Sequence, residues 1–446
     1  MPATLLVRIL ARSFLSGPPN VEEIVSRASF ALGKPWRWLR PLAKRYLKVV
    51  AGRPRPRHRD VVQFLRNDSQ LRRILSRHQR GLSIAHFITG PQPMQPVAAA
   101  KNWPVPQIES VGALAQWLQI TPTELQWFAD LKGLGHRESS SKLRHYHYRI
   151  LAKQSGNIRL IEAPKRRLKE IQRQILNDIV EKIPAHPAVH GFVKTRSIKT
   201  FAAPHTNKRV VLRVDLRDFF PSFIRARIRA MFRTMGYPES VADLLGGLCT
   251  TITPRDIWTR AAFGEDPLHL WESRWQTQAI YFQPHLPQGA PTSPALANLC
   301  AYRLDCRLAG LAEAAGATYT RYADDLAFSG GEDFEKRVVR SSLHVAAIAL
   351  EEDFQVHHRK TRIMRQGVCQ HLAGIVINQH MNVRRADFDR LKAILTNCVR
   401  LGPASQNRDA ISDFRLHLVG RVGFVEMINP AKGSRLRRIF EQINWA

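Results

Sequence analysis

Acidic side chains are scarce in this sequence: 36 Asp and Glu stand against 68 Lys and Arg, a net charge of +32. That shortage argues against charge serving solubility alone, a purpose carboxylates fulfil better, and the cation surplus asks for a polyanion. Long apolar runs are missing too. Nothing approaches the roughly 20 apolar residues of a membrane-spanning helix, so nucleic acid rather than a bilayer is the expected partner. Cysteine is rare and odd in number, at 249, 300, 306, 369 and 398, with no Cys-x-x-Cys pair. This argues against a disulfide framework and a zinc site, and buried thiols in a reducing cytoplasm are expected. Residues 1–16 set Arg8 and Arg12 among Leu, Val and Ile, which is too interrupted for a secretory signal and reads as a structural helix of a cytoplasmic protein.

What is present is an ordinary folding composition, 44% hydrophobic and 23% charged over 446 residues, enough for about two to four domains. Residues 1–60 carry 13 Lys and Arg against 3 acids and end in Arg53-Pro-Arg-Pro-Arg-His-Arg59. Interleaved prolines forbid a regular helix there, so that stretch reads as a basic arm. Trp36 and Trp38, beside Arg37 and Arg40, suit stacking on unpaired bases and packing of a helix face equally well. Helical spacing returns over 61–90 through Val62, Leu65, Leu71, Ile74 and Leu75, with a loop from Gly90 to Pro96. Two short helices are expected between Ile108 and Leu131, the second opened by the capping box Thr121-Pro122-Thr123-Glu124. Alternation around Tyr146–Ile150 and Ile158–Pro164, with Gly156 between, predicts a β-hairpin. His136, His145 and His147 have no further ligand spacing to support a metal. Leu168, Ile171, Ile175, Ile179 and Ile183 then predict a helix with one buried face, ended by Pro184.

The chemistry is concentrated in Thr320-Arg-Tyr-Ala-Asp-Asp-Leu-Ala-Phe328. β-type flanks on either side of Asp324 and Asp325 predict a tight hairpin with both acids at its tip. Neighbouring carboxylates repel, so their pairing asks for a cation, usually a divalent metal. A further acid, Asp215, ends the apolar run Arg209–Val214. An acid leaving one strand and an acid pair on a hairpin are the parts of a two-metal site for phosphoryl transfer.

Three motifs in order carry a family resemblance. Val214-Asp-Leu-Arg-Asp-Phe-Phe-Pro-Ser-Phe223, Leu286-Pro-Gln-Gly-Ala-Pro-Thr-Ser-Pro294 and Tyr322-Ala-Asp-Asp325 resemble the palm motifs of bacterial retron-type reverse transcriptases, and the likeness runs from about Leu143 to Trp445. It implies an α/β (α+β palm) right-hand polymerase: a mostly helical basic extension over 1–135, fingers and palm over 136–384, and a helical thumb over 385–446. It further implies that Asp215, Asp324, Asp325 and the Leu216 carbonyl hold two Mg2+ ions, with Mn2+ as substitute, Asp325 being the least direct ligand. Lys360, in Arg359-Lys-Thr361 after a helix at 334–354, is the candidate to protonate the leaving pyrophosphate. Arg159 would grip the triphosphate, Phe220 would wall off a ribose 2′-hydroxyl while Phe219 fills the core, and Gln288 and Gly289 would line the nucleotide sugar and base pair. A helix from Pro294 to about Ala315, capped by Ser293, should follow. Tyr322 and Gly374 would touch nucleic acid, Gly374 opening the primer-grip hairpin Gly374–Asn378, and Lys432–Arg438 forms a basic run in the thumb.

Two words depart from the family pattern. Phe201-Ala-Ala-Pro-His205 keeps only Ala202 and His205 of an Asn-Ala-x-x-His word, and Leu372-Ala373-Gly374 replaces Val-Thr-Gly. Both words accompany branched RNA-linked DNA, so that product is put in doubt while polymerisation is not. The implied partners are a non-coding RNA template and primer, the RNA–DNA hybrid and dNTPs, with an effector protein or a second copy of the chain allowed for and anti-phage defence as the setting. The alternatives are a group II intron-like reverse transcriptase, for which the chain is short of a maturase and endonuclease region, and a catalytically idle RNA-binding scaffold.

Overall fold

The computed structural model describes residues 3–51, 56–77, 82–88, 92–137, 140–152, 158–259 and 278–445. The start of the arginine–proline arm, Gly90 and the Gly156 turn lie outside these residues. The chain divides into two units, Met1–Pro184 with Phe220–Cys300, and Ala185–Phe219 with Ala301–Ala446. Helices and strands are mixed, as expected for an α/β chain.

The first unit begins with helices Ala3–Leu15, Val21–Leu32, Leu39–Val50, His58–Asn67 and Ser69–Arg77. Asn20 caps the second of these by accepting from the Glu23 amide, and Gly33, at φ +73°, closes it in the left-handed region. Leu10, Phe14, Ile24, Leu39, Leu65 and Leu71 form their shared core, against which Trp36 and Trp38 pack. The packing role for the tryptophans is therefore the one observed. Helical structure over 61–90 is shorter than the spacing suggests. Asp68 leaves the helical conformation and its carboxylate caps the next helix at the Leu71 amide, so one helix becomes two, and residues 82–88 are not helical.

Helices Val111–Trp117 and Pro122–Ala129 follow, the second opened by the Thr121/Glu124 capping box. Strands β1 (Tyr146–Ala152) and β2 (Ile158–Pro164) pair antiparallel, Tyr146 opposite Pro164. Helix Arg166–Asp178 buries Leu168, Ile171 and Ile175. It stops short of Pro184, since the chain tightens into a 3-10 turn over Val180–Lys182. The single helix expected from Pro294 to Ala315 is two, Ser293–Cys300 and Tyr302–Ala314, parted at Ala301 where ψ is 0°. Ser293 is its first helical residue rather than its cap, and its buried hydroxyl has no hydrogen bond.

The second unit is built on an antiparallel sheet ordered β4-β5-β3-β6: β3 Val210–Asp215, β4 Ala317–Tyr322, β5 Asp325–Gly330 and β6 Arg362–Arg365. β3 is buried along its length except at Arg213, because it is an interior strand of the sheet. Helix Tyr302–Ala314 packs on β4, and helix Glu332–Glu351 on β3 and β5. β7 (His371–Leu372) and β8 (Ile375–Val376) form a small hairpin. Helices Arg385–Leu401, Phe414–Ile428 and Pro430–Phe440 share one core with the sheet through Val211, Ala327, Leu372, Leu395, Val422 and Leu436. Cys249, Cys300 and Cys398 are buried as expected, but Cys306 and Cys369 are exposed. Among the described residues no helix is long and apolar enough to cross a membrane.

Candidate active site

The hairpin expected around the acid pair is present, β4 turning into β5 through Ala323 and Asp324. Ala323 sits at φ +55°. Asp325 is the first residue of β5 and lies opposite Asp215, the last residue of β3. The Leu216 amide donates to the Asp324 carbonyl at 2.9 Å, which joins the end of β3 to the turn. Asp215, Leu216, Asp324 and Asp325 are thus brought together at one end of the sheet by strand register alone.

Two of the three carboxylates already hold a cation. Arg213, two residues before Asp215 on β3 and on the same face, donates to both Asp325 oxygens at 2.8–3.1 Å. Lys360 Nζ meets the Asp215 carboxylate at 2.9 and 3.2 Å. Lys360 is delivered by a turn whose His357 amide donates to the Asp215 carbonyl at 2.7 Å and whose His357 carbonyl accepts from the Lys360 amide. Among the described residues no three His, Cys, Asp or Glu side chains converge into a ready metal cage. Asp324 is different. Burial, then the charges of Asp215 and Asp325, push its carboxyl up to about 6. Burial likewise raises Asp325, against the pull of Arg213. A carboxylate so short of positive charge beside two others is what a divalent cation would relieve, so the donor set suits such an ion.

The other expected residues fall in both units. Tyr322 packs against the second unit's core, near Phe192 and Phe201. Gly374 is in the β7–β8 turn at φ +84°, following Ala373 at +46°. Phe219 is buried and stacked on Phe354, with the Arg321 guanidinium 5.6 Å from its ring centroid. In the first unit, Arg159 is exposed on β2, opposite Leu151. Phe220 is half-buried there, its carbonyl accepting from the Phe223 amide. The Gln288 carbonyl accepts from the Glu162 amide at 2.8 Å, which ties the Gln288–Gly289 loop to the strand carrying Arg159. Gly289, at φ +134°, lies so close that a Cβ would come 3.0 Å from the Glu162 carbonyl oxygen.

The family model for Reverse transcriptase (RNA-dependent DNA polymerase) matches residues 151–377, just over half the chain. The chain belongs to the reverse transcriptase family. It is of the retron type. It is 41% identical over 304 residues to the Retron Mx65 reverse transcriptase of Myxococcus xanthus, covering 67% of this chain and 64% of that one. It is 36% identical to the Retron Mx162 reverse transcriptase of the same organism, covering 73% and 65%. The chain thus spans a little under two thirds of these relatives' length. A telomerase from Candida albicans, solved with a fragment of telomeric RNA, superposes with a TM-score of 0.34 at 9% identity over 56% of this chain and 50% of that one, too loose a likeness to argue from. Members of the family use divalent metal ions.

Sequence reasoning missed several buried residues that brace the acid-bearing hairpin in the second unit and strand β2 in the first. Arg321 and Asp305, both fully buried, form two hydrogen bonds of 2.7 Å, and the Tyr319 hydroxyl adds a third to Asp305 at 2.8 Å. Arg321 Nη1 also reaches the Ala323 carbonyl at 3.2 Å, so this buried pair braces the turn that carries Asp324. Gly191 lies against the same turn, where a Cβ would sit 2.7 Å from the Ala323 nitrogen. His205 is buried between the Ser329 and Thr320 hydroxyls at 2.7 Å each, and burial lowers it to about 3. The retained histidine of the diverged word is therefore a neutral strut beneath the hairpin. Glu162, also fully buried, accepts from Thr253 at 2.6 Å and pairs with His285 at 2.9 Å, fixing β2 beneath the Gln288 loop.

Proposed function

We propose that this chain is an RNA-directed DNA polymerase, copying a non-coding RNA template into DNA within a retron or related anti-phage defence system. The observation that carries the proposal is that strand register sets Asp215, Asp324 and Asp325 at one sheet end, with the Asp324 carboxyl raised to about 6 by burial and by its two carboxylate neighbours. Divalent ions, Mg2+ first and Mn2+ as substitute, supply activation of the primer 3′-hydroxyl and neutralisation of the triphosphate when bound there. Asp215 and Asp324 would be the principal ligands, with the Leu216 carbonyl beside them, while Asp325, held by Arg213, would serve mainly to shape the site. Lys360, resting on Asp215 and half exposed, is free to turn toward a leaving pyrophosphate and protonate it.

Within this reading 136–384 form fingers and palm, 385–446 the thumb, and 1–135 a basic helical extension. Arg159 takes triphosphate oxygens, Gln288 and Gly289 line the sugar and base pair, and Phe220 excludes a 2′-hydroxyl. Tyr322 and Gly374 meet the nucleic acid strands of the RNA–DNA hybrid. The retron relatives favour this assignment over the intron-type alternative. Primer extension on poly(rA)/oligo(dT) with Mg2+ and dTTP tests it. Incorporation by the wild-type chain, falling about a thousand-fold or more in Asp324→Asn, is expected. No incorporation, or equal incorporation by the variant, would overturn the assignment.

A further inference from the structure

The N-terminal helices carry a charge distribution that the acid site does not use. Among the described residues 3–77 there are four acids, and each is paired with an arginine: Glu22 with Arg40, Glu23 with Arg27, Asp60 with Arg59 and Asp68 with Arg45. Six of the other cations recur one helical turn apart, as Arg8 and Arg12 on helix Ala3–Leu15, Lys44 and Lys48 on Leu39–Val50, and Arg73 and Arg77 on Ser69–Arg77, all six exposed. Like charges at this spacing destabilise a helix by a few tenths of a kcal/mol per pair. Repeating that cost on three helices, with every acid engaged elsewhere, favours a surface kept for a polyanion over one kept for solubility.

Two of these rows meet. Arg45 donates to both Asp68 oxygens at 2.8 and 2.9 Å and to Gln70 Oε1 at 2.7 Å, which brings helix Leu39–Val50 beside the start of Ser69–Arg77. Lys48 lies one turn past Arg45, and Arg73 one turn past Gln70, with Arg77 a turn further. Lys44 and Lys48 on one helix, and Arg73 and Arg77 on the other, therefore lie within one or two turns of this junction, the seam between the two helices. Helix Ser69–Arg77 has no exposed large apolar side chain and Leu39–Val50 has only Val49, so the seam lacks the apolar face of a membrane-inserting helix. It also lacks an aromatic platform for unpaired bases, since the nearby Trp36 and Trp38 pack on the core.

We propose that this seam binds the phosphate backbone of base-paired RNA, as a second RNA contact lying outside the acid site and its nucleotide pocket. Point charges without stacking rings read backbone and shape rather than sequence. The choice of RNA rests on the polymerase reading above, whereas the backbone contact itself rests only on the seam.

The test uses the 446-residue chain and its Lys44→Gln/Lys48→Gln/Arg73→Gln/Arg77→Gln variant. Fluorescence anisotropy follows a labelled RNA hairpin, a DNA hairpin of the same sequence and anionic phosphatidylserine vesicles, from 50 to 300 mM KCl. The variant should bind the RNA hairpin at least about tenfold more weakly, and its slope of log affinity against log salt should be shallower by about 3. It should lose less on the DNA hairpin and nothing on vesicles, keep the wild-type thermal melt, and extend oligo(dT) on saturating poly(rA) at the wild-type rate. Unchanged RNA affinity and slope would overturn the proposal. So would an equal loss on both hairpins, or a loss confined to vesicles. Failure of wild-type primer extension would count against the polymerase alone, because hairpin binding is read without catalysis.

Discussion

Single side chains set the electrostatics of the acid site, and the ones that matter most are partners rather than ligands. Arg321 is the clearest case. Replacing it with Met leaves Asp305 buried without its cation and should cost about 3–5 kcal/mol, read as a fall in the urea midpoint. The double replacement Arg321→Met/Asp305→Leu should restore much of that stability while dNTP incorporation stays depressed, because the Ala323 carbonyl still lacks its donor. Recovery of both together would reduce Arg321 to a packing residue. His205 gives a pH prediction. Its folded-state value is depressed to about 3 from an ordinary 6.5, so above about pH 6.5 neither state binds the proton. As pH falls below that, the unfolded chain takes up a proton that the buried ring refuses, and stability drops by up to about 1.4 kcal/mol per pH unit until about pH 3. Urea midpoints at pH 7, 6 and 5 should show this slope. His190, lowered to about 4 by burial, contributes nearly as much over this range, so His205→Gln should remove about half of the slope that the two share.

Elements were legible wherever a period ran long enough. The hairpins at Tyr146–Pro164 and Ala317–Gly330 and the Thr121 capping box follow from alternation and cap chemistry. What spacing could not supply was the partner across the chain. Arg213 finds Asp325 at a separation of 112 residues and Glu162 finds His285 at 123, and no local pattern marks either pair. Helix ends failed for a related reason. Asp68 could continue a helix or cap the next, and Ala301 carries no breaker, so the surrounding structure decided both. The β7–β8 turn yields a prediction at this scale. Ala373 and Gly374 both have positive φ, the geometry of a two-residue hairpin turn, yet alanine is a poor occupant of that region. Ala373→Asn should stabilise the chain by about 0.5–1 kcal/mol, measured by urea titration, and Gly374→Val should destabilise it.

For the molecule as a whole, the +32 charge is the property most visible in sequence and least informative about place. It announces a polyanion without saying which surface meets it. Binding of any RNA should weaken steeply with salt, by about 0.7–0.9 log unit per log unit for each neutralised phosphate, which anisotropy at several KCl concentrations would count. A slope near zero for every RNA tried would contradict a backbone-reading protein. The acid triad was legible because three words stood in family order, while the buried braces behind it were silent. One of them limits how the triad can respond. Only a hydrogen atom at Gly191 separates its strand of chain from the Ala323 nitrogen, so the hairpin cannot sink in that direction to accommodate an incoming ion. In that direction the adjustment is left to carboxylate torsions, the backbone acting as a fixed ruler and the oxygens as its moving marks.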